Sequence, residues 1–246
     1  MKKHIFGILV LSFFMVGGNN IELKAQDAAS ILAKMDKIMF SPKDKQGKVT
    51  IILTGKKDKE KVREAEMFQK GTDKKLYRYT MPESQAGIAT LSLPGDVMWM
   101  YMPAFKKPKK ITLLARSQSF TGTDFSYEDM ATTPYADRYT PELLKTEGNT
   151  YLLQLTPKTK NSKYSKLIVK LDKTNGYPIL IEFYNNRDKK FKEATYIYEK
   201  IGSYWNAKEV VMTDLDKEHS TKIQLSEVKF DQGLSDELFL VENLGK

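Results

Sequence analysis

The sequence contains no cysteine. That absence excludes a disulfide framework, thiol catalysis and a cysteine-ligated metal site, and it removes the residue that would carry a bacterial lipid anchor. Histidine is almost as scarce. Of two in the chain, His4 lies in the N-terminal leader, which leaves His219 as the one residue around which a Ser-His-Asp triad or a zinc site would have to be built. No HExxH, GxSxG or Gly-rich phosphate loop accompanies it, and Lys217-Glu218-His219-Ser220 reads as a solvent-facing hairpin turn. Hydrolase and metalloenzyme chemistry are therefore disfavoured, and the chain is expected not to be an enzyme, with no cofactor and no metal. Long apolar runs are missing too. The longest, residues 5–16, is about twelve residues, whereas about twenty are needed to cross a bilayer.

What precedes and follows that run explains it. Lys2, Lys3 and His4 come first, and a polar stretch ending at Ala25 comes after, which is the order of a secretory signal. Leu23 at the minus-three position blurs the cut by a few residues. Residues 1–25 are thus expected to be a cleaved signal peptide, residues 26–246 a single domain, and the periplasm its destination. Cleavage removes three lysines and one glutamate, taking the formal charge from +9 to +7. A basic balance of this kind suits a solvated lysine-rich surface, or transient contact with anionic headgroups worth about 1 kcal/mol per well-placed cation. Nucleic acid is not an expected partner in that compartment.

The remaining chain starts with a helical pattern. Asp27 is a candidate N-cap, and Ile31, Leu32, Met35, Ile38 and Met39 form one apolar stripe before Ser41-Pro42 stops it. The period then changes to two. Val49, Ile51 and Leu53 alternate with Thr50, Ile52 and Thr54, and residues 66–69 begin a returning strand. Strands are also expected at 76–79 and 86–93. Residues 97–102 are apolar at every position, so a strand there should be covered on both faces. Further on, strands at 151–155, 166–171, 178–184, 194–201, 208–214 and 220–230 follow one another without helices, which implies an antiparallel meander. Within the last, Ile223 and Leu225 share one phase while Val228 and Phe230 take the other. A bulge near Ser226-Glu227 resolves the conflict and bends the sheet.

The middle of the chain, 105–144, offers little regular structure beyond a short helix at 126–131, and connections of that length usually serve function. It carries a basic run (Lys106, Lys107, Lys109, Lys110). Near it cluster Trp99, Tyr101, Phe105, Phe120, Phe125, Tyr127 and Met130, the candidate lining or lid of an apolar cavity. An ordinary core is the competing reading of the same residues. Asp124, Glu128 and Asp129 could serve carboxylate chemistry, although helix capping by Asp124 or Ser126 explains them more simply.

These residues resemble a known group. Trp99-Met100-Tyr101-Met102-Pro103, then Lys106, Lys107 and Lys110-Ile111, then the block from Ser119 through Phe120-Thr121-Gly122-Thr123-Asp124-Phe125-Ser126-Tyr127-Glu128-Asp129 to Met130, is similar to the outer membrane lipoprotein-sorting proteins of the LolA-like superfamily. Tyr151-Leu152-Leu153, Tyr177-Pro178-Ile179, Tyr204-Trp205, Val210-Val211-Met212 and residues 236–239 agree with it. The resemblance implies a mainly β (α+β) fold, an incomplete antiparallel barrel whose concave apolar cavity is covered by helices. It also implies a function: a monomeric periplasmic carrier of lipoprotein acyl chains or lipid, served by an inner-membrane transporter and an outer-membrane acceptor. A lipid-sensing or transporter-associated module that does not shuttle is the alternative. The arginine that couples lid and cargo in the carrier is absent from the comparable stretch, Lys70-Gly71-Thr72-Asp73-Lys74-Lys75.

Overall fold

The computed structural model describes residues 18–246 except 57, 58, 96, 113, 114 and 116, with backbone alone for 18–26. Residues 1–17, most of the expected signal, lie outside the described residues. Helix α1 spans Gly18–Met39. Asp27 is therefore not its N-cap, because nothing in Asn20-Ile21-Glu22-Leu23-Lys24-Ala25 interrupts a helix. The expected stripe is real: Leu32 and Met35 are fully buried with Ala28, and Ile31 and Met39 pack beside them.

Among the described residues, thirteen strands form one antiparallel sheet. The first six are β1 (Asp44–Thr54), β2 (Glu60–Lys70), β3 (Lys74–Met81), β4 (Ala89–Leu93), β5 (Val97–Tyr101) and β6 (Lys109–Ile111). After the four-residue helix α2 (Tyr135–Arg138) come β7 (Tyr139–Glu147), β8 (Thr150–Pro157), β9 (Lys166–Asp172), β10 (Pro178–Tyr184), β11 (Lys190–Ile201), β12 (Tyr204–Asp214) and β13 (His219–Phe230). Their spatial order is β6-β5-β4-β3-β2-β1-β13-β12-β11-β10-β9-β8-β7. Two meanders, one from each half of the chain, thus join where β1 pairs with β13, and the free edges β6 and β7 leave the barrel open.

The join carries the bend. Gln46 pairs with Lys229 but Lys48 pairs with Ser226, so β13 holds an extra residue there, with Glu227 at φ 52°. This is the bulge that the phase change in the sequence predicts. Gly47 sits opposite it, where a Cβ would come within 3.1 Å of both the Ser226 carbonyl and Val228 Cγ2. A side chain there would press on the strand pair that curves the sheet.

The concave face holds the main core, including Val49, Ile51, Ala65, Met67, Leu153, Val169, Ile181 and Ala194, beneath α1, α2 and residues 117–134. Asp36 of α1 fastens the two helices: its carboxylate accepts from the backbone N–H groups of Tyr135 (2.9 Å) and Ala136 (2.8 Å), capping α2 from outside its own segment. Strand β5 is covered twice, as expected. Met98 and Met100 join the concave core, while Trp99 and Tyr101 pack on the opposite face against Leu76, Leu91, Phe239 and Leu244. The second cover is the C-terminal tail, two 3-10 turns at Asp236–Phe239 and Val241–Asn243.

Candidate functional site

A hollow of about 210 Å³ lies between the concave face and its cover. Its apolar wall includes Met39, Met67, Phe125, Met130, Val210 and Ile223, and its polar wall Lys45, Gln69, Lys75, Asp129 and Arg138. Five tyrosines, Tyr77, Tyr135, Tyr177, Tyr196 and Tyr198, complete it. Burial raises the phenol pKa of each, for Tyr177 to about 12, so all remain neutral donors at physiological pH. The space is amphipathic rather than uniformly greasy. A second hollow of about 290 Å³ abuts it, and Ala131, Thr133 and Arg138 line both.

The cover is more ordered than the sequence suggests. Residues 119–126 form a miniature hairpin in which the Phe120 N–H donates to the Phe125 carbonyl (2.7 Å) and the Tyr127 N–H to the Gln118 carbonyl (3.2 Å). Its turn places Thr121 at φ 48° and Gly122 at φ 79°. Glycine tolerates that region, but threonine does not adopt it readily. Thr121 is held there from β2 and β3: its carbonyl accepts from Arg63 and its hydroxyl hydrogen-bonds the Tyr79 phenol. An arginine therefore does reach the cover, from a position in β2 upstream of the stretch where the resemblance locates one.

The expected helix at 126–131 is a single turn closed by a reciprocal cap. Ser126 Oγ accepts from the Asp129 N–H (3.2 Å) and Asp129 Oδ2 from the Ser126 N–H (2.7 Å). The other two carboxylates do not cap it. Glu128 accepts from Ser162 Oγ (2.6 Å) and the Lys163 N–H (3.0 Å), tying the cover to residues 158–165. Asp124 is buried, and its Oδ2 lies 2.6 Å from His219 Nδ1 and accepts from Thr221 Oγ1 at 2.7 Å. Lys192, buried and lowered in pKa by desolvation, donates to the Asp124 carbonyl. His219 is thus not a free turn residue. It opens β13 with its side chain 29% exposed, and the pairing was invisible in the sequence because 95 positions separate the partners.

The seven residues expected to contact cargo separate into three groups. Phe125 and Met130 line the hollow. Phe120 and Tyr127 are buried in the same core, edge to face with ring centroids 5.4 Å apart. Trp99, Tyr101 and Phe105 do not line it: alternation along β5 turns the first two to the opposite face, and Phe105 is 53% exposed on a 3-10 turn with Lys109 over its ring. The inward-facing Lys45, Gln69 and Lys75 were missed. Their strand phase, continuous with Val49, Ala65 and Tyr79, was the signal that could have found them.

No three-residue cluster of His, Asp and Glu suited to a metal occurs among the described residues, and no described helix is long and apolar enough to cross a membrane.

A family model described only as an uncharacterized protein matches residues 71–246. A domain from Vibrio parahaemolyticus, assigned to outer membrane lipoprotein sorting, is similar over 90% of this chain and 100% of its own, at 28% identity and a TM-score of 0.83. A LolA superfamily protein from Nitrosomonas europaea matches over 87% and 97%, at 26% identity and a TM-score of 0.73. A DUF1329 family protein from Desulfovibrio piger, at 23% identity over 88% and 97% with a TM-score of 0.82, shares the fold. A comparison with curated proteins finds no match. The open sheet and covered hollow are those of the LolA-like superfamily, and the chain belongs to the family whose model matches residues 71–246.

Proposed function

We propose that this protein is a periplasmic carrier that shelters acyl chains of a lipoprotein or lipid in the covered hollow and moves them toward the outer membrane. The observation that carries the reading is the hollow itself, whose Met39, Met67, Phe125 and Met130 offer adaptable apolar contacts inside an otherwise well-packed core. The physical need is large, since each methylene withdrawn from water contributes about 0.8 kcal/mol. Ligand sites usually occupy roughly 300–1,000 Å³, so neither hollow alone suffices for a long chain, whereas the two joined would. Loading then moves the wall that Ala131, Thr133 and Arg138 share. The carboxylates of Asp124, Glu128 and Asp129 are engaged by protein donors, which favours binding over catalysis.

A donor transporter in the inner membrane and an acceptor at the outer membrane belong to this reading, with the exposed Phe105 among Lys106, Lys107, Lys109 and Lys110 suited to brief contact with anionic headgroups. Native mass spectrometry of protein purified from envelopes should show lipid adducts. Phe125→Ala should lower their occupancy, and Trp99→Ala, which empties a core on the far face, should not. Adduct-free protein that also fails to take up lipid from vesicles refutes the proposal. Binding without transfer of a labelled lipoprotein between vesicles would point instead to a sensing module.

A further inference from the structure

The polar wall of the hollow is organised by strand register. Lys45 of β1 pairs with Gln69 of β2, which pairs with Lys75 of β3, so the three side chains stand in one row across adjacent strands and on one face. Strand spacing puts the outer two about 10 Å apart at the backbone, close enough for both ammonium groups to reach one anion above Gln69. All three line the hollow.

What the row lacks is a counter-charge. No carboxylate is a hydrogen-bond or ion-pair partner of Lys45 or Lys75 among the described residues. Lys45 has the ring of Phe230 at 5.8 Å, and the acid it senses, Glu199, is already engaged by Asn206 and Lys208. The charged neighbour of Lys75 is another cation, Arg138. Asp129, the acid in the lining, is taken by Tyr164 Oη and the Ser126 N–H. Desolvation accordingly lowers the ammonium pKa of Lys45 to about 7 and of Lys75 to about 8. Lysines kept inward without partners are costly unless something else supplies the charge.

We infer that the Lys45-Gln69-Lys75 row is a headgroup subsite, and that the cargo is an anionic amphiphile whose carboxylate or phosphate sits on the row while its alkyl chain runs toward Met67, Phe125 and Met130. This rests on the acyl-binding reading and adds the chemical class of the head. An anion there forms charge-assisted hydrogen bonds in a half-buried site, where they are stronger than in open water. By favouring the protonated lysines it also draws protons from solution as it binds.

The test compares dodecanoate, dodecyl phosphate and dodecanol by calorimetry on the full mature chain, with acetate and inorganic phosphate as headgroups without tails. Either anionic amphiphile should bind about tenfold more tightly than dodecanol at neutral pH. At about pH 8.5, repetition in buffers of different ionisation enthalpy should show proton uptake. A Lys45→Met/Lys75→Met double variant should hold dodecanol as well as the parent does, lose the preference and lose the uptake. The Lys45→Arg/Lys75→Arg variant should keep the preference, which separates charge from packing. Equal affinity for dodecanoate and dodecanol in the parent overturns the subsite while leaving the acyl hollow intact. Binding of acetate or phosphate as tight as that of the amphiphiles overturns it in favour of a small-anion site. Failure of every alkyl ligand, dodecanol included, defeats the underlying carrier reading.

Discussion

Asp124→Ala is the perturbation that separates a fastened cover from ordinary packing. The parent carboxylate accepts from Thr221 Oγ1, on a fully buried residue, and from the half-buried His219, while the Asp124 N–H donates back to Thr221. Truncation leaves the proton of one buried hydroxyl without its acceptor, at about 1–3 kcal/mol, and weakens the hold on one partly solvated ring, at about 1 kcal/mol, so a loss of roughly 2–4 kcal/mol is expected. Urea unfolding should register it as a fall of about 1–2 M in the midpoint at unchanged slope. Hydrogen exchange gives the decisive readout. Amides of Phe120, Thr123 and Tyr127, which close the miniature hairpin, should accelerate far more than those in the middle of β9 and β10. Adding Thr221→Val should cost less than in the parent, because the two share the interaction. Uniform acceleration across the sheet, or a midpoint shift below about 0.3 M, would refute the claim that this buried pair pins the cover.

Three further perturbations test other parts of the structure. Gly245→Ala puts a Cβ within 2.9 Å of the Tyr101 ring, so the tail should loosen, with about 1–3 kcal/mol lost and tryptophan emission shifted as Trp99 is uncovered; an unchanged midpoint and spectrum would reject the packing argument. Asp36→Ala removes both acceptors that cap α2 and should cost about 1–3 kcal/mol, seen as a lower thermal midpoint, whereas Asp36→Asn, which keeps one acceptor, should cost less. Stability should also depend on pH. Lys45 and Lys75 bind protons less readily in the folded chain, near pH 7 and 8, than their ordinary value of 10.5, so between those values the unfolded chain holds more protons and stability rises with pH, on the order of 1 kcal/mol per unit per lysine. Above about pH 10 the half-buried Tyr77 and Tyr196, whose phenol pKa desolvation raises, reverse the trend, because the unfolded chain releases their protons first. Lys45→Met should raise stability at neutral pH and flatten the rise; a parallel curve would contradict the assignment.

The sheet was legible to the extent that one strand carries its own evidence. Alternation at Val49, Ile51 and Leu53 located β1, six short apolar segments located β8 to β13, and the phase change between Leu225 and Val228 located the bulge. Of the residues singled out in the sequence, Phe125 and Met130 line the hollow, whereas Trp99 and Tyr101 pack on the other face, because aromatic clustering along the chain says nothing about which face of β5 each ring takes until the tail is placed against one of them.

By itself the sequence determined the local periods, the absence of thiol chemistry and the family resemblance, all of which depend on neighbours within a few residues. Tertiary structure alone decided which strands meet, and so it brought Asp124 to His219 and Arg63 to Thr121, and set Lys45 and Lys75 on one row. Pairing of β1 with β13 joins segments about 180 residues apart, and a contact at that separation leaves no period in the chain for a reader to find.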